Sequence, residues 1–132
     1  MARYVYPAIF TREDESGYSV FFPDIKNCYT CGDDMADALE MAEDVLCLML
    51  YDMEEADKPI PPPSDCKKIS IDENSVVSLV HCDTIEYRKF YDKKAVKKTL
   101  TIPNWINTLA ERKNVNFSAV LQEALMQKLD IS

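Results

Sequence analysis

The sequence predicts an α+β protein: a small sheet-and-helix body followed by a strand–helix–helix tail. Three patterns carry that expectation. Residues 3–30 alternate short apolar and aromatic runs with turn residues. Residues 35–55 repeat apolar side chains at three- and four-residue steps, and residues 96–129 switch from a period of two to a helical period across a proline.

In chain order, residues 3–10 read as a strand whose early Pro7 favours an edge or a strand start. The polar stretch 13–17, ending in Gly17, is a turn, and Tyr18 to Phe22 returns as the second arm of a hairpin. Residues 25–30 are expected to form a short third strand. Asp34 is the expected N-cap of a helix over residues 35–55, with Met35, Ala38, Leu39, Ala42, Val45, Leu46, Met49, Leu50 and Met53 on its packed face. Asp37, Glu40, Glu43, Asp44, Asp52 and Glu54 occupy the opposite, solvated face. The proline-rich run 58–64 is a stiff extended spacer. A possible strand follows at 67–71, a firmer one at 76–82, and a short helix at 84–91 capped by Asp83 or Thr84.

The tail opens with Val96-Lys-Lys-Thr-Leu-Thr-Ile-Pro103. In an extended strand Val96, Leu100 and Ile102 share one face and Lys97, Thr99 and Thr101 the other. A lone strand with one apolar face has neither an edge partner nor a cover, which suggests pairing with a second copy of itself. Such a ribbon fits the DNA major groove, where Lys97 can meet guanine or phosphate and Thr99 and Thr101 can meet base edges. Pro103 suits the first turn of the next helix, in which Ile106, Leu109 and Ala110 recur at helical spacing. After a break at 113–116, Val120, Leu121, Ala124 and Leu125 form a second apolar stripe. Leu100, Ile102, Ile106, Leu109, Val120 and Leu121 are the candidate dimerisation core. Asn116 is an N-cap, and the free N–H groups there make Asn116 and Ser118 candidate phosphate contacts; the simpler reading is that both only cap the helix.

The charge is divided along the chain. Of a net −8, residues 1–66 hold four Lys/Arg against fifteen Asp/Glu, whereas residues 88–132 hold nine against four. An acidic body and a basic tail suggest two partners, one basic and one nucleic acid. Five cysteines at irregular spacing suit a reducing compartment rather than a disulfide framework. Cys28 and Cys31 have zinc-ligand spacing with His81-Cys82 as an imaginable second half, but a single C-x-x-C on a strand sends its two thiols to opposite faces. No metal site, catalytic residue or cofactor is expected. Without a membrane-length apolar run or an export leader, a cytoplasmic location is expected.

The tail resembles the ribbon-helix-helix family of bacterial DNA-binding regulators over roughly residues 95–130, with Lys97, Thr99 and Thr101 at the outward strand positions. Lys98 departs from that pattern at a position where the family has an apolar residue. The body is similar to HicB antitoxins in Tyr6-Pro7, Gly17-Tyr-Ser-Val-Phe-Phe-Pro-Asp24, Gly32-Asp33 before Ala38-Leu39, and the Pro-Ile-Pro run. The resemblance implies a partial ribonuclease H-like sheet without catalytic function in a toxin-binding domain at residues 1–92, and a DNA-binding, dimerising ribbon-helix-helix domain at 93–132. It implies a small basic HicA-like toxin that cleaves RNA, double-stranded operator DNA and a homodimer or higher homo-oligomer as partners, with no membrane and no enzyme activity. The competing expectations are an orphan transcriptional regulator whose body senses a ligand or protein, and a metal-dependent nuclease using Asp14, Glu15 and Asp24.

Overall fold

The structure, a computed structural model, describes residues 2–131. The chain forms two compact units, one ending at Lys94 and the other beginning at Ala95. The first contains strands β1 (Arg3–Arg12), β2 (Tyr18–Phe21) and β3 (Tyr29–Gly32), helix α1 (Met35–Glu55), a 3-10 turn at Cys66–Lys68, strand β4 (Ser75–Asp83) and helix α2 (Thr84–Tyr91). The second contains α3 (Asn104–Arg112) and α4 (Phe117–Lys128).

The four strands form one antiparallel sheet in the order β3-β2-β1-β4. Alternation along β1 sends Tyr6, Ala8 and Phe10 to the α1 side, where Val20 of β2 and Val80 and Cys82 of β4 join them. Helix α1 covers this face with Ala38, Ala42, Leu46 and Leu50, all completely buried. Small residues at the first two positions let its N-terminal half lie close to β3. The opposite sheet face is also apolar but open, with Val5, Phe21, Tyr29 and Leu79 exposed.

Pro7 sits in β1 at a stretch where that strand is locally an edge. β1 is paired on both sides only from Ile9 onward, so Pro7 falls where β4 alone is alongside and its missing N–H costs no second ladder. The third strand starts at Tyr29, four residues later than the expected one, because residues 22–28 close into a turn in which the Phe22 N–H bonds the Cys28 carbonyl and Asn27 takes a left-handed φ of 59°. The strand expected at 67–71 is absent. Asp65 instead accepts the Lys67 N–H at 3.0 Å and caps a single 3-10 turn.

Helix α1 starts through reciprocal bonds: the Asp37 N–H donates to the Asp34 carboxylate at 2.8 Å, and the Asp37 carboxylate accepts the Asp33 N–H at 2.8 Å. With only two glycines in the chain, helix ends fall to Asp and Asn, which tolerate left-handed backbone better than other side chains. Asp57, Asn114 and Asp130, with φ of 52°, 55° and 55°, follow α1, α3 and α4. In each case the next N–H reaches back to the helix, Lys58 to Met53, Val115 to Ala110 and Ile131 to Met126.

The proline run does more than space its neighbours. Its Pro61 carbonyl accepts the Tyr6 hydroxyl, and Ser64 bonds the Asp24 carboxylate through both its N–H and its hydroxyl. It is therefore strapped to the body at two points.

Candidate functional site

Two regions of the chain offer surfaces that could bind partners. On the first unit, α1 presents Glu40, Glu43, Asp44, Asp52 and Glu55 to solvent, while Glu13, Asp14 and Glu15 stand on the β1–β2 turn. No salt bridge to Glu40, Glu43 or Asp44 occurs among the described residues, so this negative charge is presented outward.

Glu54 does not belong to that face. Its side chain is 5% exposed and turned inward, accepting the Tyr4 hydroxyl at 2.9 Å, the Thr84 hydroxyl at 2.9 Å and the Arg88 guanidinium at 3.1 Å. The cluster ties the end of α1 to the starts of β1 and α2. Burial alone would raise the Glu54 pKa, but hydrogen bonds, those from Thr84, Tyr4 and Arg88 among them, hold it below the ordinary 4.5. Burial and the neighbouring Glu54 push the Tyr4 phenol up to about 12. Sequence reasoning missed this role, although position 54 continues the four-residue spacing of buried Leu46 and Leu50. Because the folded value is lowered, the contribution of Glu54 is full above pH 4.5 and is lost as pH falls through the folded value. Glu54→Gln is therefore expected to flatten the acid limb of a Tm-against-pH curve. An unchanged acid limb would remove Glu54 as a source of pH dependence.

Among the described residues of the second unit no side chain is buried. Leu100, Ile102, Ile106, Leu109 and Val120 are all exposed, Leu121 is half-buried, and Trp105 is 66% exposed. Residues 96–102, read from the sequence as a strand, pair with no strand among the described residues. The reason is that a β-ladder needs a neighbour, and a single chain supplies none here. Pro103 is the N-cap of α3, one position earlier than expected, with φ −58° and ψ 140°. Asn116 caps α4, its side chain accepting the Ala119 N–H at 3.1 Å, and exposed Ser118 follows in the first turn. Lys97, Thr99 and Thr101 are exposed as well.

The remaining candidates are dispersed. Cys28 is buried in the 22–28 turn, Cys31 is exposed on β3, His81 points from the open sheet face and Cys82 lies in the core. Among the described residues no three His, Cys, Asp or Glu side chains are gathered as for a metal ion. Asp24, one of the three carboxylates considered for a nuclease, is engaged by Ser64.

A family model described as HicB_like antitoxin of bacterial toxin-antitoxin system matches residues 6–126. The chain belongs to this HicB-like antitoxin family. Over 59 residues it is 42% identical to Antitoxin HicB 2 of Photorhabdus laumondii subsp. laumondii, a match covering 45% of this chain and 42% of that protein. The chain thus matches less than half the length of this curated relative. Among solved structures, a toxin–antitoxin complex from Streptococcus pneumoniae contains a chain similar over 96% of this one and 99% of its own length, with 31% identity and a TM-score of 0.63. A HicA3 and HicB3 toxin–antitoxin complex contains one similar over 61% of this chain and 99% of its own length, at 26% identity and a TM-score of 0.51. The HicB antitoxin of Burkholderia pseudomallei shares the fold over 96% of this chain and 98% of its own, at 20% identity and a TM-score of 0.55. The mixed α+β architecture with its four-stranded antiparallel sheet is thus that of HicB-like antitoxins. No helix among the described residues is long and apolar enough to cross a membrane.

Proposed function

We propose that this chain is the antitoxin of a HicA–HicB toxin–antitoxin pair, silencing a small basic RNA-cleaving toxin by direct binding and repressing its own operon through operator DNA. The observation that carries the first half is the likeness, across nearly the whole chain, to a protein solved within a toxin–antitoxin complex. The acidic surface of α1 and the β1–β2 turn supports a basic partner, because charge of one sign over a face attracts and orients its opposite. Neutralisation needs no chemistry from the antitoxin. Covering the toxin's RNA-binding surface is sufficient, and the body serves as a partial ribonuclease H-like scaffold for that contact.

The second half rests on the Ala95–Ser132 unit, in which an unpaired strand-like segment and two amphipathic helices leave every apolar residue at least partly exposed. Two copies would bury this stripe and pair residues 96–102 into an antiparallel ribbon, giving a ribbon-helix-helix dimer. Lys97, Thr99 and Thr101 would then line the ribbon's outer face in the major groove, and the N-terminus of α4 at Asn116 and Ser118 would hold a phosphate. Lys98, inward in the alternation, has a stem long enough to carry its charge past the core to the backbone.

Co-expression decides the first half. The short reading frame beside this gene should arrest growth, this chain should relieve the arrest, and the two proteins should co-purify. Arrest that is not relieved, or no arrest, would favour an orphan regulator. For the second half, Thr99→Ala and Thr101→Ala should each cost about 1–3 kcal/mol of operator discrimination. Lys97→Ala should lower the slope of log affinity against log salt by about 1 for each phosphate it neutralises. All three should leave toxin binding unchanged. A salt-independent operator affinity would exclude this DNA contact model.

A further inference from the structure

The five cysteines are not equivalent. Cys47 lies on α1 beside buried Leu46, and Cys82 lies on β4 opposite Tyr4, on the side of the sheet that α1 covers. Cys47 and Cys82 thus come from the helix and the sheet to one place at the α1–β4 junction. Both line an open cavity of about 430 Å³. Cys47 is half-buried and reachable through that opening, whereas Cys82 is 1% exposed behind it. One thiol is thus placed to meet a small reagent, and the other is placed to meet the first.

We propose that Cys47 and Cys82 form an oxidative modification site, in which a neutral peroxide oxidises Cys47 and Cys82 resolves the product to a disulfide that staples α1 to β4. The Cys47 thiolate sulfur attacks one peroxide oxygen, the O–O bond breaks, and the departing hydroxide takes a proton to leave as water. The resulting sulfenic acid is attacked by the Cys82 sulfur as its proton is lost. The S–S bond forms, the S–O bond breaks and a second water departs. Both cysteines are oxidised and one hydrogen peroxide is reduced.

The electrostatics support the order of events. The neighbouring Cys82 draws the Cys47 pKa below the ordinary thiol value, against burial and the charges of Glu43 and Asp44, while the neighbouring Cys47 and burial raise Cys82. Burial pushes Cys28 up to about 11, which makes it a poor thiolate. The cavity is lined by four carboxylates, Glu43, Asp44, Asp83 and Glu86, against the single guanidinium of Arg3, which pairs with Asp83 at 3.7 Å. This carboxylate majority repels anionic disulfides such as glutathione disulfide and leaves uncharged hydrogen peroxide as the fitting oxidant.

The test treats the reduced full-length protein with hydrogen peroxide and reads intact mass, peptide linkage and Tm. The expected product is lighter by two hydrogens, about 2 Da, carries a Cys47–Cys82 linked peptide and reverts with dithiothreitol. Its Tm should rise by several degrees, because the link closes a long loop in the unfolded chain. Cys82→Ser should leave a sulfenic acid at Cys47 that a dimedone probe captures, and Cys47→Ser should leave Cys82 reduced. Glutathione disulfide at equal concentration should act at least about tenfold more slowly, since like charge lowers encounter rates by that order. A disulfide through another cysteine, direct formation of sulfinic acid at Cys47 in the parent protein, or equal rates with the two oxidants would overturn the proposal.

Discussion

Leu100→Asp is expected to abolish the proposed ribbon dimer and operator binding, while leaving the body able to capture the proposed toxin. Leu100 is 58% exposed in the single chain, on the same strand face as Ile102. If two chains pair, each copy buries this side chain, and full burial of a leucine contributes about 1.5–3 kcal/mol. Symmetry makes every substitution count twice. An aspartate there adds an unpaired charge to an interface core, where such a group costs several kcal/mol more. Sedimentation and an operator shift assay should therefore change together. Lys97→Ala, on the other face of the strand that the alternation predicts, should weaken operator binding without disrupting the proposed dimer. A Leu100→Asp protein that stays dimeric would sink the ribbon model, and one that also loses toxin binding would indicate misfolding instead.

Gly32→Ala is the second large effect, and it falls on the body. A Cβ at Gly32 would lie 2.3 Å from the Ala38 nitrogen, 2.5 Å from the Ala38 Cα and 2.8 Å from the Asp37 carbonyl carbon. All three are backbone atoms of the first turn of α1, so no side-chain rotation relieves the overlap. Either β3 leaves the sheet edge or the N-terminal half of α1 lifts, taking buried Ala38 and Ala42 with it. The expected loss is about 3 kcal/mol or more. For a unit of this size each 1 kcal/mol moves Tm by roughly 4–8 °C. A variant melting within about 2 °C of the parent would mean that this close approach is not held in solution.

Much of this architecture is legible from local chemistry. The limits of α1 follow from Asp34 as a cap and from apolar spacing that runs from Met35 to Met53; α2 follows from Asp83 in the same way. The β1–β2 hairpin follows from alternation on either side of a polar turn ending in Gly17, whose φ of 91° an L side chain rarely adopts. The misplaced start of β3 and the absent strand at 67–71 have a common cause. In both places a backbone or side-chain hydrogen bond closes a local turn that competes with extension, and nothing in the hydrophobic pattern records it.

What one strand or helix needs from its own residues, a cap, a period, a turn, is written in sequence order, and so the sequence by itself determined the four helices, the β1–β2 hairpin and β4, the division of charge and the family motifs. What depends on partners distant along the chain was decided only in three dimensions. Tertiary packing turned Glu54 inward to Tyr4, Thr84 and Arg88, strapped the proline run to Tyr6 and Asp24, and brought Cys47 of α1 and Cys82 of β4 to one cavity. A carboxylate on a helix looks the same in sequence whether it faces water or a buried guanidinium. Its partners sit 50, 30 and 34 residues away, and only the packing of β1 and α2 against the end of α1 brings them within hydrogen-bonding distance.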